Sequence, residues 1–228
     1  GDFYWIEMIG NRLFFSAVDC TGHGVPGAFM SIVGNNGLDR ATREQRCVHP
    51  AEILDLLDDF VVETLRQTNK TEVKDGMDIA LCSYDITENI LEFAGANNPL
   101  YIIREKPGTL EINGIKYSPY LENEKFSLYE VKGDKQPIGA VDSRKKFTNN
   151  IIKVIKGDRF YVFTDGYADQ FGGPNNKKFM YKNFKKLLLD NCEETMLVQH
   201  TILEKAFEEW QKGYEQIDDI TIVGINFD

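Results

Sequence analysis

Apolar runs near the start of the chain predict a β-hairpin that leads into a helix. Residues 3–9 and 12–18 are strand-like, and Gly10-Asn11 between them is a turn dipeptide. The second run ends in Asp19, which glycines and Pro26 follow. This order predicts a strand that ends in a carboxylate and then turns into a helix.

Four segments have the periodicity of helices. The first runs from Pro26 to about Arg40, where small residues at helical spacing predict close packing on a sheet. The second opens at Pro50 and is amphipathic, with apolar positions that step by four: Ile53, Leu57, Val61 and Leu65. The last two are predicted at 182–189 and 193–211. The inward positions of the last helix are Met196, Leu203, Phe207 and Trp210.

Strand patterns occupy the middle of the chain. After a polar connection at 68–76, three strand patterns joined by short turns predict an antiparallel meander: 79–84, 90–94 and 100–104. Residues 105–135 have weak strand signals around 110–112 and 126–131, and we interpret them as a loop-rich excursion. Further strands are predicted at 147–155 and 159–164. Runs of strands separated by blocks of helix predict an α+β fold with antiparallel sheets and helices outside.

Composition limits the classes of function. The 228 residues fit a single domain over 1–228, and 42% hydrophobic residues can form a substantial core. The net charge of −10 argues against nucleic-acid binding, and no apolar run is long enough for membrane insertion. The chain does not start with Met, which predicts a cut from a longer protein with an upstream domain.

The four cysteines indicate a reducing compartment. Cys20, Cys47, Cys82 and Cys192 have neither metal-site spacing nor the density of a disulfide scaffold. We therefore expect free thiols and a cytoplasmic location for this domain.

Acidic residues at strand edges are the candidate chemistry. Asp19 follows the second strand, Asp165 follows 159–164, and Asp218-Asp219 precede an apolar run. Taken singly, they are explained as a cap, an Asp-Gly turn and a charged strand entry. Their joint occurrence favours one site for a hard divalent cation, which prefers several oxygen ligands. His23 is explained equally well by turn packing, and we leave it out of the catalytic set.

The order of short motifs resembles a known family. The chain is similar to the SpoIIE/RsbU-like branch of the PP2C (PPM) metal-dependent serine/threonine phosphatases. The matching pieces, in family order, are Gly1-Asp2-Phe3-Tyr4, Asp19-Cys20-Thr21-Gly22-His23-Gly24, Gly95-Ala96-Asn97-Asn98-Pro99, Pro137-Ile138-Gly139, Thr164-Asp165-Gly166 and Asp218-Asp219-Ile220-Thr221.

The resemblance implies a fold and a metal centre. The fold is a four-layer α-β-β-α sandwich of two packed antiparallel sheets flanked by helices, with two Mn²⁺ or Mg²⁺ ions at one end. Asp19 would bridge both ions and hold the nucleophilic water. The other implied ligands are Asp2, the Cys20 backbone carbonyl, Asp165 and Asp218, with Asp218 preferred over Asp219. The residues implied to line the site are Gly22, Gly166, Asn97, Gly139 and Asp219.

The resemblance also implies a reaction and partners. The two ions would activate a water for in-line attack on a phosphoserine or phosphothreonine. The implied substrate is a phosphorylated anti-sigma-factor antagonist of the STAS type, and the upstream region would carry a sensor or signalling module. Two alternatives stay open: a non-catalytic module that binds a phosphoprotein or partner, and a metal-dependent nucleotide cyclase.

Overall fold

Fourteen strands make up the β-structure of the described residues, which in this computed structural model are 1–22, 24–65, 75–139 and 144–227. In chain order the strands are β1 (Phe3–Ile9), β2 (Arg12–Cys20), β3 (Met77–Asp85), β4 (Ile90–Ala96), β5 (Leu100–Glu105), β6 (Leu110–Ile112), β7 (Ile115–Tyr117), β8 (Leu121–Glu122), β9 (Phe126–Val131), β10 (Asn150–Lys153), β11 (Asp158–Phe163), β12 (Phe171–Gly172), β13 (Lys177–Lys178) and β14 (Ile222–Phe227).

The strands form two large sheets and a small ribbon. The first sheet has the spatial order β1-β2-β3-β4-β10-β6-β7, and the second has the order β14-β11-β5-β9-β8. Every pairing within both sheets is antiparallel. The ribbon is β12 with β13. The predicted antiparallel α+β architecture is therefore confirmed.

Five α-helices are found among the described residues: α1 (Gly24–Asp39), α2 (Pro50–Leu65), α3 (Gly166–Asp169), α4 (Tyr181–Asp190) and α5 (Met196–Gln211). A π-helical turn, Arg40–Glu44, extends α1. The prediction that the last helix starts at residue 193 was wrong, because the Thr195 hydroxyl caps the helix by accepting a hydrogen bond from the Val198 amide.

Strand β2 shows how the first sheet is buried on both faces. Phe14 and Val18 belong to the core beneath α1 and α2. Phe15 and Ala17, which alternate with them, belong to the core between the two sheets. Because successive side chains point to opposite faces, a strand buried on both sides has a continuous apolar run.

Strand β5 has the same arrangement in the second sheet. Leu100 and Ile102 contribute to the core between the sheets. Tyr101 and Ile103 contribute to a third core, which is covered by residues of α4 and α5. The three cores define four layers, α-β-β-α, as the resemblance implies.

Three predictions for the middle of the chain were wrong in part. The predicted meander ends at β4, because β5 crosses into the second sheet and pairs with β9 and β11. The segment 105–135, interpreted as loop-rich, holds four strands, of which β9 lies inside the second sheet. The predicted strand 147–155 is shorter, since only β10 (Asn150–Lys153) pairs.

Some predictions fall on residues outside the described ranges. His23 and residues 68–74 of the predicted polar connection are among them.

None of the helices in the described ranges has the length and apolar character needed to cross a bilayer.

Candidate metal centre

Three neighbouring strand positions of the first sheet carry acids at one level. Asp19 near the end of β2 lies directly opposite Asp78 of β3. On the other side of β2, Phe3 pairs with Val18, so the next step of the same register puts Asp2 opposite Asp19. Phe15 and Ala17, four and two residues before Asp19, face the second sheet. The three acids therefore form a row at the end of the space between the sheets.

The second sheet brings two more acids to the same end. Asp165 lies two residues after β11, and Asp218 lies four residues before β14, the neighbour of β11. The two segments are tied together, because the Thr164 amide donates to the Thr221 carbonyl and the Thr221 amide donates to the Thr164 hydroxyl, both at 3.0 Å. This pairing holds Asp165 and Asp218 at one edge of the sheet.

A glycine after Asp165 makes this edge compact. A Cβ added at Gly166 would lie 2.1 Å from the carbonyl oxygen of Asp219. Only glycine lets the two backbones approach this closely. Gly166 is therefore required by packing between the two segments, and it begins α3 rather than occupying a hairpin turn.

The carboxylates of the two sheets act on one another at Asp19. Burial raises the pKa of Asp19 to about 8, and the charges of four neighbouring carboxylates add to this effect. Those neighbours are Asp2, Asp165, Asp78 and Asp218. The structure thus brings together the four side chains that the resemblance implies as ligands.

The other acids are perturbed in the same direction. Burial raises the pKa of Asp2 to about 6, although a hydrogen bond from the Thr164 hydroxyl opposes the shift. Burial also raises the pKa of Asp165, and the charges of Asp169 and Asp218 contribute. These shifts show that the anionic carboxylates are short of compensating positive charge.

The acids are not used as ordinary caps or turn residues. Asp165 precedes α3, but its side chain makes no capping hydrogen bond. Within the described ranges, no hydrogen bond reaches the Asp19 carboxylate. The structural explanations that fit each acid singly in the sequence are therefore not realised for these two residues.

Among the described residues, the Lys178 ammonium is a positive group that acts on these acids. The Lys178 ammonium donates to Asp169 at 2.7 Å and lowers the pKa of Asp165 by its charge. The Asp2 backbone amide donates to the Asp219 carboxylate at 3.4 Å. Asp219 is thus engaged differently from Asp218, which is consistent with the preference for Asp218 as a ligand.

Small residues shape the turn after Asp19. Gly22 has a φ of +89°, and a Cβ added at Gly27 of α1 would lie 2.5 Å from the Gly22 carbonyl oxygen. The Ser31 hydroxyl of α1 donates to the carbonyl oxygens of Gly1 and Gly27. Cys20 itself is buried, and burial raises the pKa of its thiol to about 12, so the thiol is no nucleophile. Its backbone carbonyl is the group that remains a candidate ligand.

The remaining predicted lining residues occupy two different places. Asn97, with a φ of +58°, donates its side-chain amide to Asp78 at 2.8 Å and so borders the acidic row. Gly139 lies behind the start of β3, where its amide donates to Asp58 of α2 at 2.7 Å. Its contact is with the helical layer rather than with the carboxylates.

Sequence reasoning missed Asp78. The predicted strand began at Ile79, so the acid fell in the preceding connection, whereas β3 begins at Met77. Its position beside Asp19 follows from the pairing of β2 with β3, two strands that α1 and α2 separate in the chain.

The described residues contain no group of three His, Cys, Asp or Glu side chains already arranged to hold a metal ion. The donor chemistry still fits a hard divalent cation. Five carboxylates from two sheets lie at one end of the sandwich. Burial and neighbouring negative charge raise the pKa of Asp19 and of Asp165, and a cation would relieve both effects.

Comparison with known proteins identifies relatives of the whole chain. The family model of stage II sporulation protein E (SpoIIE) matches residues 9–228. The SiaA PP2C domain of Pseudomonas aeruginosa is 29% identical with a TM-score of 0.82, over 100% of this chain and 80% of that one. The PP2C phosphatase domain of Bacillus subtilis SpoIIE, solved with part of its regulatory domain, is 16% identical with a TM-score of 0.70, over 100% and 57%.

A third solved structure is similar in fold. RsbX in complex with magnesium is 10% identical with a TM-score of 0.58, over 98% of this chain and 85% of that one. No curated protein sequence matches the chain significantly.

Proposed function

The chain belongs to the stage II sporulation protein E (SpoIIE) family and has the PP2C phosphatase fold, and from this premise we propose that it is a metal-dependent protein serine/threonine phosphatase. The observation that carries the proposal is the meeting of acids from both sheets around Asp19, whose pKa burial and neighbouring carboxylates raise to about 8. A site that concentrates negative charge in this way is suited to cations, and it repels a phosphate unless cations are bound.

Two Mn²⁺ or Mg²⁺ ions are the proposed cofactors. Asp19 lies at the centre of the acids and is the proposed bridging ligand. Asp2 and the Cys20 carbonyl would complete one position, and Asp165 with Asp218 the other. RsbX, which has a similar fold, was solved in complex with magnesium, and this supports a divalent cation as the cofactor.

Several residues of the chain have separate roles around the proposed ions. When bound, the two ions supply a water of lowered pKa and positive charge beside the phosphoryl oxygens. The Thr164 hydroxyl, which accepts a hydrogen bond from the Thr221 amide, favours the anionic form of Asp2. Gly166 lets the Asp218-Asp219 segment approach Asp165. The α1 hydroxyl of Ser31 holds Gly1, the residue before Asp2, against the turn.

The proposed substrate is a phosphoserine or phosphothreonine of a regulatory protein. Within the family, a phosphorylated anti-sigma-factor antagonist of the STAS type is the substrate we propose. The proposed setting is the cytoplasm, with this chain as one output domain over residues 1–228, attached to a sensor or signalling module.

Release of phosphate from a phosphoserine STAS-type protein in the presence of Mn²⁺ tests the proposal. We expect turnover by the parent chain and its loss in Asp19→Asn, which removes one charge but keeps the shape of the side chain. Asp190→Asn is the matched control, because Asp190 is exposed and pairs only locally with Lys186. Equal turnover by the parent and Asp19→Asn, or binding of the phosphoprotein without hydrolysis, would contradict the proposal.

A further inference from the structure

The pairing of β2 with β3 places two acids in direct opposition. Asp19 and Asp78 are register partners, and each lies next to a fully buried neighbour in its strand, Val18 and Ile79 respectively. Like charges directly opposite each other destabilise a sheet. A neutral residue at position 78 would therefore serve folding better than an aspartate does.

The Asp78 side chain has a defined orientation. The Asn97 amide donates to its Oδ1 at 2.8 Å, from the turn that joins β4 to β5. Asn97 is itself fixed, because its backbone amide donates to the Asp134 carbonyl at 2.8 Å and its φ is +58°. Asn97 thus holds Asp78 through one neutral hydrogen bond and leaves its charge uncompensated.

Asp78 acts on acids of both sheets. Its charge contributes to the raised pKa of Asp19 in the first sheet and of Asp165 in the second. Burial also raises the pKa of Asp78 itself, against the effect of the Asn97 hydrogen bond. Asp78 therefore interacts with acids of both sheets, although no motif of the resemblance includes it.

We propose that Asp78 is a further residue of the cation centre and that Asn97 is the positioning residue that orients it. This inference rests on the proposed function, since it assigns another carboxylate to the same site. Asp78 would strengthen the binding of a divalent cation by its charge and by a carboxylate oxygen opposite Asp19 in the sheet, either directly or through a coordinated water.

A purely structural role for Asp78 predicts a different outcome. If Asp78 only served to anchor Asn97 and its turn, then Asp78→Asn would keep an acceptor oxygen at the same place and leave cation binding unchanged. If Asp78 belongs to the cation centre, the same variant loses the charge that the cation uses and also the repulsion that opposes folding. The two roles are therefore separated by measuring metal-free stability and cation affinity in the same variant.

The experiment measures thermal melting in EDTA and Mn²⁺ affinity by calorimetry for the parent, Asp78→Asn and Asn97→Ala. We expect Asp78→Asn to melt at the same or a higher temperature without metal and to bind Mn²⁺ about tenfold more weakly. Asn97→Ala should weaken Mn²⁺ binding by a smaller factor, because the charge remains. Glu88→Gln is the matched control, since it removes one charge from the exposed turn at the opposite end of the same β3–β4 hairpin.

The outcomes distinguish this inference from the proposed function. Parent protein that binds Mn²⁺ but releases no phosphate would overturn the phosphatase while leaving the role of Asp78 to be decided by the affinities. Unchanged Mn²⁺ affinity in Asp78→Asn would overturn the inference even in an active phosphatase. A parent that binds neither Mn²⁺ nor Mg²⁺ would overturn both.

Discussion

The carboxylates at the two ends of β11 have opposite surroundings. At the start of the strand, Asp158 is 1% exposed and accepts two hydrogen bonds from the Arg104 guanidinium, at 2.8 and 2.6 Å. It also accepts a hydrogen bond from the Ile155 amide at 3.0 Å. Just past the other end, Asp165 lies among other acids and receives only a distant contribution from Lys178. The same strand thus begins at a compensated charge and leads to an uncompensated one.

The difference indicates that one end of β11 serves the stability of the fold and that the other end serves a functional site. A buried charge pair is tolerated when its hydrogen bonds are complete, and Arg104 also donates to the Thr109 and Lys153 carbonyls. The acidic end has no such partner among the described residues and carries a cost in the metal-free protein. That cost is understandable if a cation is the missing partner, because perturbed carboxylates in a cleft are characteristic of functional sites.

The largest effect is expected at the acidic end, on activity. Asp19→Asn should lower phosphate release by about 10³-fold, because the central carboxylate of the cation centre loses its charge. The same variant should melt in EDTA at or above the temperature of the parent. A large loss of metal-free stability would show instead that Asp19 is a structural residue like Asp158.

Substitution of Asp158, at the start of β11, should have the opposite effects: a loss of stability and no change in Mn²⁺ affinity. Asp158→Asn leaves the Arg104 guanidinium buried without its counter-charge, and we expect a loss of about 3–5 kcal/mol in the free energy of unfolding. Urea denaturation measures this change. Glu193→Gln is the control, since the Lys125–Glu193 pair is exposed and should contribute little. Mn²⁺ affinity should be the same in folded Asp158→Asn and the parent, and a selective loss of Mn²⁺ binding would remove the contrast between the two ends.

Close packing at the acidic end gives a third test. Gly166→Ala brings a Cβ within 2.1 Å of the Asp219 carbonyl oxygen, and we expect a loss of about 3 kcal/mol together with weaker Mn²⁺ binding. Gly10→Ala is the comparison, because its Cβ would meet no atom within 4 Å and the variant has only the cost of a left-handed residue, about 1 kcal/mol. Equal losses in the two variants would show that the contact with Asp219 is relieved without cost.

The smallest effect is on the pH dependence of stability. The folded pKa of Asp19 is raised to about 8 from 3.8, so the metal-free folded protein binds this proton more tightly than the unfolded chain does. Stability from this group is present below pH 4 and is lost as the pH rises toward about 8. The decrease in melting temperature between pH 6 and pH 8, measured in EDTA, should therefore be larger for the parent than for Asp19→Asn. Parallel decreases would contradict the raised pKa.

Much of the architecture could be predicted from local pattern. The hairpin of β1 and β2, the amphipathic α2 and the ordered motifs are local features, and they were sufficient for the fold class. The crossing of β5 into the second sheet was not predictable in this way, because a short turn after β4 is compatible with either sheet. Residues 105–135 were interpreted as loop-rich because β9 pairs with β5, which is not its neighbour in the chain, as well as with the adjacent β8.

The candidate site could be predicted in its members but not in its energetics. The acids at strand ends are visible in the sequence, whereas their mutual repulsion depends on how the sheets are stacked. Asp78 illustrates the limit, because its importance follows only from the register with Asp19. The proposed ligand set itself stays a prediction.

Counting the Mn²⁺ ions bound per chain is the most direct test of the cation centre. Calorimetric titration of the parent and of Asp19→Asn at pH 8 provides this count, with Asp190→Asn as the control. The account predicts two ions per chain in the parent and in the control, and markedly weakened binding at both positions in Asp19→Asn. Absence of bound Mn²⁺ in the parent, or identical binding in Asp19→Asn, would contradict it.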